Sequence, residues 1–363
     1  MLKEGEFRIT SGCAISGIID KSGKKFNGNE IIKSIALMHD RSNGLGGGFA
    51  AYGIYPNYKN FYAFHIFYEN MNVKSNTEDF IKKHFYIKKA EQIPTRCTRN
   101  ITNTPLIWRY FIRPQIKNML KNGKSIDEFD FVSECIIKIN TTYDGAYVFS
   151  SGKNMGIFKG VGYPEDIGDF FMLDKYNAYM WTAHGRFPTN TPGWWGGAHP
   201  FGILNWSVVH NGEISSYDAN RRFVEMYGYK CTLKTDTEVI AYLFDFLVRK
   251  HKLSIKKAVK VISSPFWDDI DREKNKEIKN ELRIMRAVYA GALVNGPFSI
   301  ILGYENGMIA LNDQIKLRSL VVAEKNNKTY IASEESAIKI VCRDPEKVWS
   351  PRGGEAVIAL LEG

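Results

Sequence analysis

Four short stretches of the 363-residue chain hold side chains able to do chemistry. In SGCAISGIID, Cys13 stands between a Ser-Gly turn and an apolar strand-like run, with twelve mostly polar residues ahead of it. It is either a small buried hydrophobe at a strand start or the first residue left once residues 1–12 are removed. The stretch HGRFPTNTPGWWGGAHPF, residues 184–201, follows the run YMWTA and carries Arg186, Thr189 and Asn190. A guanidinium just past a strand offers a planar two-point donor to a carboxylate. The same arginine also suits a surface position beside a Trp-rich loop. In VVHNGEI, Asn211 and Gly212 read either as a hairpin turn or as two convergent donors, a side-chain amide and a backbone N–H, for a developing oxyanion. In TDTEVIAYLF, Thr235 and Glu238 have the spacing of a capping box, which puts Asp236 in a first helical turn where it can also pair with an ammonium group.

Each stretch has a structural reading of its own; together they have a chemical one. An arginine for a carboxylate, an aspartate for an ammonium and an Asn-Gly oxyanion pair describe a receptor for an α-amino acid whose side-chain carbonyl is under attack. Cys13 supplies the nucleophile. With residues 1–12 cleaved, its α-amino group, with an ordinary pKa of ~7.7–8.0, accepts a proton near neutral pH. One residue then holds nucleophile and base, the N-terminal variant of a pairing otherwise built from Cys and His. No Cys/His dyad stands out among the seven histidines.

The elements that must hold these residues are strands and helices in separate blocks. Strand-like runs occur at CAISGIID, FAAYGIY, FYAFHIFY, GAYVFS, YMWTAHGRF, WSVVHNGEI, FSIILGYE, SLVVAE and KTYIAS. Helical periodicity marks EIIKSIALMHD, TEDFIKKHF, LIWRYFIRPQIKNML, TEVIAYLFDFLVRKH, IKKAVKVIS and KNELRIMRAVYA. Segregated blocks and the hairpin SLVVAEKNNKTYIAS predict mixed α+β layers with antiparallel sheets. The organisation expected is one large domain, residues 13–363, with a helical insertion around 76–139.

Composition excludes several classes. No apolar run reaches the ~20 residues of a bilayer span, and Lys3, Glu4, Glu6 and Arg8 leave no signal core, so a cytoplasmic protein away from membranes is expected. Five scattered cysteines without a CxxC pair speak against a metal, a cluster or a dithiol. The net charge of +10 is spread over lysines interleaved with acids, the pattern of a solvated surface and not of a nucleic-acid site. The Gly-rich RSNGLGGGFAAYG lacks the Lys-Ser/Thr ending of a phosphate loop and leads into a strand, leaving a structural turn or a loop beside a site.

Taken in order, CAISGIID, LMHDRSNGLGGGFA, HGRFPTNT, VVHNGEI, TDTEVI and GPFSIILGYENGMIALNDQIKLRSLVVAEKNNKTYIASEE resemble the class II glutamine amidotransferases of the N-terminal nucleophile hydrolases. The form HGRFPTNTPGWWGGAHPFG is most similar to the amidotransferase portion of glutamate synthase, in particular to the stand-alone subunit. The resemblance implies a four-layer αββα sandwich of two antiparallel sheets. It implies Cys13 as the nucleophile forming a γ-glutamyl thioester from L-glutamine, with Asn211 and Gly212 as the oxyanion hole. Arg186 then binds the α-carboxylate, Thr189 contacts substrate in the same loop, and Asp236 anchors the α-ammonium. HDRSNGLGGG matches a mobile loop over the glutamine. Gln314 and Ser319 depart from the family's D-R-x-x-L-R-P pattern. The resemblance also implies that ammonia passes to a partner synthase carrying FMN and iron–sulfur clusters, with no cofactor expected in this chain. Two other readings remain: an amidohydrolase of the same fold acting alone on another amide, and a non-catalytic assembly or regulatory subunit.

Overall fold

The structure, a computed structural model, describes residues 12–121, 124–187 and 193–362. The β-branched and aromatic runs form strands where the sequence places them, and the KNNK turn is a tight one, with Asn326 at φ 51° between Val321–Lys325 and Lys328–Ala332. Seven strands make one sheet in the order Met155–Gly160, Gly47–Tyr52, Met180–Gly185, Ala14–Asp20, Lys328–Ala332, Val321–Lys325 and Lys347–Trp349. Five make a second: Phe201–Ile203, Trp206–Gly212, Phe298–Tyr304, Gly307–Asn312 and Val357–Leu360. Every pairing in both sheets is antiparallel.

The two sheets stack because alternate residues of the second face opposite ways. Val209, Ile301, Met308 and Ala310 join the core of the first sheet, with Ile15 and Ile18. Val208, Ile300, Leu302, Ile309 and Leu311 join a second core under helix Asp236–Phe244 and its neighbours. At Gly17 the sheets approach so closely that a Cβ would lie 2.7 Å from Met308 Sδ and 3.2 Å from Ile301 Cγ2. Helices Asn29–Ala36, Pro164–Phe170 and Glu335–Lys339 cover the outer face of the first sheet. The layers therefore run helix, sheet, sheet, helix: the αββα sandwich of the resemblance. Among the described residues no helix is long and apolar enough to cross a membrane.

The segment around 76–139 is not a helical insertion. LIWRYFIRP is a strand, Leu106–Pro114, and it pairs with Phe85–Gln92 and Tyr62–Tyr68 in a four-stranded sheet completed by Ala146–Ser150. Among the described residues its α-helices lie on the flanks, Met71–His84 and Glu128–Thr142, with a single 3-10 turn at Ile116–Met119 between them. The run misleads because Tyr110, Phe111 and Ile112 are consecutively buried, which erases the alternation that marks a strand.

Candidate active site

Cys13 immediately precedes the strand Ala14–Asp20, which lies inside the seven-stranded sheet. Ala14 pairs with Gly185, so the residues after Gly185 run beside the cysteine. Phe187 N–H accordingly donates to Cys13 Sγ at 3.4 Å. Burial in the pocket pushes the Cys13 thiol above its ordinary value, with the Phe187 N–H and the Arg186 and Arg318 guanidiniums opposing it and Asp236 adding to it. A thiol held up in this way needs a base at the moment of attack. No histidine nitrogen hydrogen-bonds Sγ among the described residues; three buried histidines nearby direct their bonds elsewhere.

The five-stranded sheet brings the second group. Asn211 and Gly212 end the strand Trp206–Gly212, paired with Ser299 and Phe298, so the Asn-Gly pair is not a hairpin turn. Asn211 is fully buried; its amide nitrogen makes one long bond, 3.5 Å, to Ser333 Oγ, and its Oδ1 has no partner among the described residues. Ser333 is tied to the nucleophile strand, its hydroxyl accepting from Ile15 N–H at 3.1 Å and its own N–H donating to Ile15 O at 3.0 Å. One residue thus spans the two sheets at the point where thiol and amide meet.

The third group comes from helix Asp236–Phe244. The expected capping box is absent: Thr235 is the N-cap but makes no side-chain cap bond, and Glu238 reaches back to Leu233 N–H at 3.0 Å instead of to the cap residue. Asp236 does lie in the first turn. Its Oδ2 accepts from Ile214 N–H at 3.1 Å and its Oδ1 from the Thr237 hydroxyl at 3.1 Å. Burial raises its pKa, but His210, the Ile214 N–H and the Thr237 hydroxyl outweigh that and hold the carboxyl below the usual range.

Cys13, Arg186, Asn211, Gly212 and Asp236 line a single cavity of about 560 Å³, large enough for an amino acid. Arg186 is 7% exposed, and its backbone is stitched to the Gly-rich loop: its N–H donates to Gly46 O at 2.8 Å and its carbonyl accepts from Asn43 N–H and Ser42 Oγ. Thr189 and residues 1–11 of the expected leader lie outside the described residues. Among those described, no group of three or more His, Cys, Asp or Glu side chains is placed to hold a metal ion.

Sequence reasoning missed two arginines here. Arg41, in the Gly-rich stretch, donates from Nε to Cys13 O at 3.2 Å and from Nη1 to Glu334 at 2.9 Å. Arg318 lines the cavity itself, at the end of a turn whose Asp313 carboxylate accepts from Ile315 and Leu317 N–H. A Cβ on Gly12 would lie 3.6 Å from each guanidinium and 3.9 Å from Asn211 Oδ1. The residue ahead of the nucleophile therefore sits within the site.

A protein 49% identical over 355 residues, spanning 96% of this chain and 92% of its own length, is an uncharacterized protein of Archaeoglobus fulgidus. The amidophosphoribosyltransferase of Methanocaldococcus jannaschii is 28% identical over 218 residues, 59% of this chain but only 40% of that enzyme. Among solved structures, a glutamine phosphoribosylpyrophosphate amidotransferase from B. subtilis aligns over 96% of this chain and 47% of its own, at TM-score 0.47 and 14% identity. The family model for class-II glutamine amidotransferases matches residues 94–279, a span that holds Arg186, Asn211, Gly212 and Asp236 and begins after Cys13. The chain belongs to the class-II glutamine amidotransferases.

Proposed function

We propose that this chain is the glutaminase component of a glutamate synthase-type enzyme, hydrolysing the side-chain amide of L-glutamine and delivering ammonia to a partner. The observation that carries the reading is the convergence of Cys13, Arg186, Asn211, Gly212 and Asp236 on one cavity. Arg186 and Asp236 take the α-carboxylate and α-ammonium, which leaves the side-chain amide to reach toward Cys13. Sγ then bonds to the amide carbon while its proton passes to the α-amine of a Cys13 freed of residues 1–12. The carbonyl electron pair moves onto oxygen, held by the Asn211 amide and the Gly212 N–H. Return of the pair breaks the C–N bond, the amine gives its proton to the departing nitrogen, and ammonia leaves a γ-glutamyl thioester. Water, deprotonated by the same amine, releases glutamate.

The position of Gly12 supports removal of the leader, since a peptide bond on Cys13 withholds the base and occupies the site. The acceptor is assigned on the form of residues 184–202, which favours a glutamate synthase partner with FMN and iron–sulfur clusters. Incubation with a diazoketone analogue of glutamine, followed by peptide mass analysis, is expected to label Cys13 and no other cysteine, in protein whose intact mass begins at Cys13. Unlabelled, folded protein, or active protein retaining residues 1–12, would defeat the mechanism. A partner co-purifying from the source cells without flavin and iron–sulfur absorption would defeat the choice of acceptor alone.

A further inference from the structure

Behind the ammonium seat lie three buried histidines and a threonine that the glutaminase steps do not use, and hydrogen accounting gives their bonds a direction. His184 Nε2 lies 2.9 Å from His210 O, and a carbonyl only accepts, so His184 carries its proton on Nε2. Its ring stacks on His199, centroids 4.0 Å apart at 18°. Burial lowers the pKa of His184 to about 3 and that of His199 well below the ordinary imidazole range, so each ring is neutral with one N–H.

Thr237 Oγ1 lies 2.8 Å from His199 Nε2, 3.1 Å from His210 Nδ1 and 3.1 Å from Asp236 Oδ1. An ionised carboxylate has no proton to give, so the single hydroxyl hydrogen goes to Asp236. The two hydroxyl lone pairs then accept from His199 Nε2–H and His210 Nδ1–H. This arrangement satisfies every donor and acceptor at the threonine. His199 Nδ1 and His210 Nε2 have no partner among the described residues, so neither ring is held in the opposite orientation. With Ile214 N–H on its other oxygen, Asp236 is gripped on both oxygens from behind.

We propose that Thr237, loaded by His199 and His210, is a positioning residue that fixes the Asp236 carboxylate in the orientation selecting substrates with an α-ammonium. The inference rests on the glutaminase reading and deepens it. It is tested by comparing kcat/KM for L-glutamine and for glutaramate, the same molecule without the α-amino group, in the purified chain and in Thr237→Val and Thr237→Ser. The ratio of the two values is expected to fall on the order of tenfold in Thr237→Val, through KM for glutamine, and to recover in Thr237→Ser, which keeps the hydroxyl. An unaltered ratio in Thr237→Val, or a Thr237→Ser variant as impaired as Thr237→Val, overturns the proposal. A parent chain that hydrolyses glutamine without preference over glutaramate overturns the role of Asp236 and the proposal with it. Parent preference retained in Thr237→Val removes only Thr237. Should Thr237→Val not fold, ¹⁵N spectra of the histidine rings in the parent decide: Nε2–H on His184 and His199 is expected, and Nδ1–H on His199 overturns it.

Discussion

Among the described glycines, Gly212 is the one where an added Cβ has the least room. Its φ is 147°, and a Cβ would come within 2.0 Å of Pro297 O, a backbone atom that cannot rotate away. Any side chain must therefore push the strand Phe298–Tyr304 or twist the Asn211-Gly212 peptide, moving the N–H assigned to the oxyanion. Gly212→Ala is expected to lower kcat for glutamine by about 10²–10³, with a much smaller change in KM, because the oxyanion exists only in the transition state. Steady-state kinetics check this, and a loss confined to KM would count against the oxyanion role. The Asn-Gly pair was legible as one of two things, a turn or a donor pair. What rules out the turn is the pairing with Ser299 and Phe298, far along the chain, which no local composition encodes. Arg318 was illegible for the same reason: its place in the cavity depends on the Asp313 turn and on sheet register. Cys13, Arg186 and Asp236 were readable as candidates because each stands beside an apolar run or at the start of a helix, and the fold brings the three to one cavity.

Helix Asp236–Phe244 shows how one element can serve the site at both ends of its first turn. Asp236 faces the cavity, while Glu238, 3% exposed, accepts from Leu233 N–H and the Tyr242 hydroxyl and so holds the chain that rims the pocket. Burial raises the Glu238 pKa to about 7, against the opposing pull of the Leu233 N–H, the Tyr242 hydroxyl and Lys159. A carboxyl raised in the fold stabilises it fully below its unfolded value near 4.5 and loses that contribution as pH climbs through about 7. The loss amounts to roughly 3 kcal/mol. Glu238→Gln stays neutral throughout, so parent stability should fall relative to this variant between pH 5 and 8 in denaturant unfolding. Parallel pH dependences in the two proteins would refute the assignment. The sequence spacing Thr235 to Glu238 was real, yet the cap was wrong, because burial turned Glu238 toward the preceding loop. The strand Leu106–Pro114 was misread by a related effect, burial on both faces.

At the scale of the molecule, the site exists only because two sheets are held at one separation. Cys13 leads into a strand of the first sheet and Asn211-Gly212 close a strand of the second, so the distance from the thiol to the Asn-Gly pair is set by packing between them. Mixed α+β layers with antiparallel sheets followed from the segregated strand and helix blocks, and the αββα order from the family resemblance; the spacing followed from neither, since it depends on which small residues face each other across the core. Gly17, four residues along the strand from the nucleophile, is one place where the sheets come close. Gly17→Val places two methyl groups against Met308 and Ile301, at an expected cost of about 1–3 kcal/mol from overpacking. Met308→Ala in the same chain vacates the sulfur that a Cβ meets first and should return part of that stability. If sheet separation sets the reacting geometry, kcat for glutamine falls in Gly17→Val and rises again in the double variant, because small misplacements of a nucleophile are costly. Melting curves and turnover on the three proteins test both halves. Gly17→Val destabilised but turning over at the parent rate would show that Ser333, bridging Ile15 and Asn211, holds the site together without help from the core behind it.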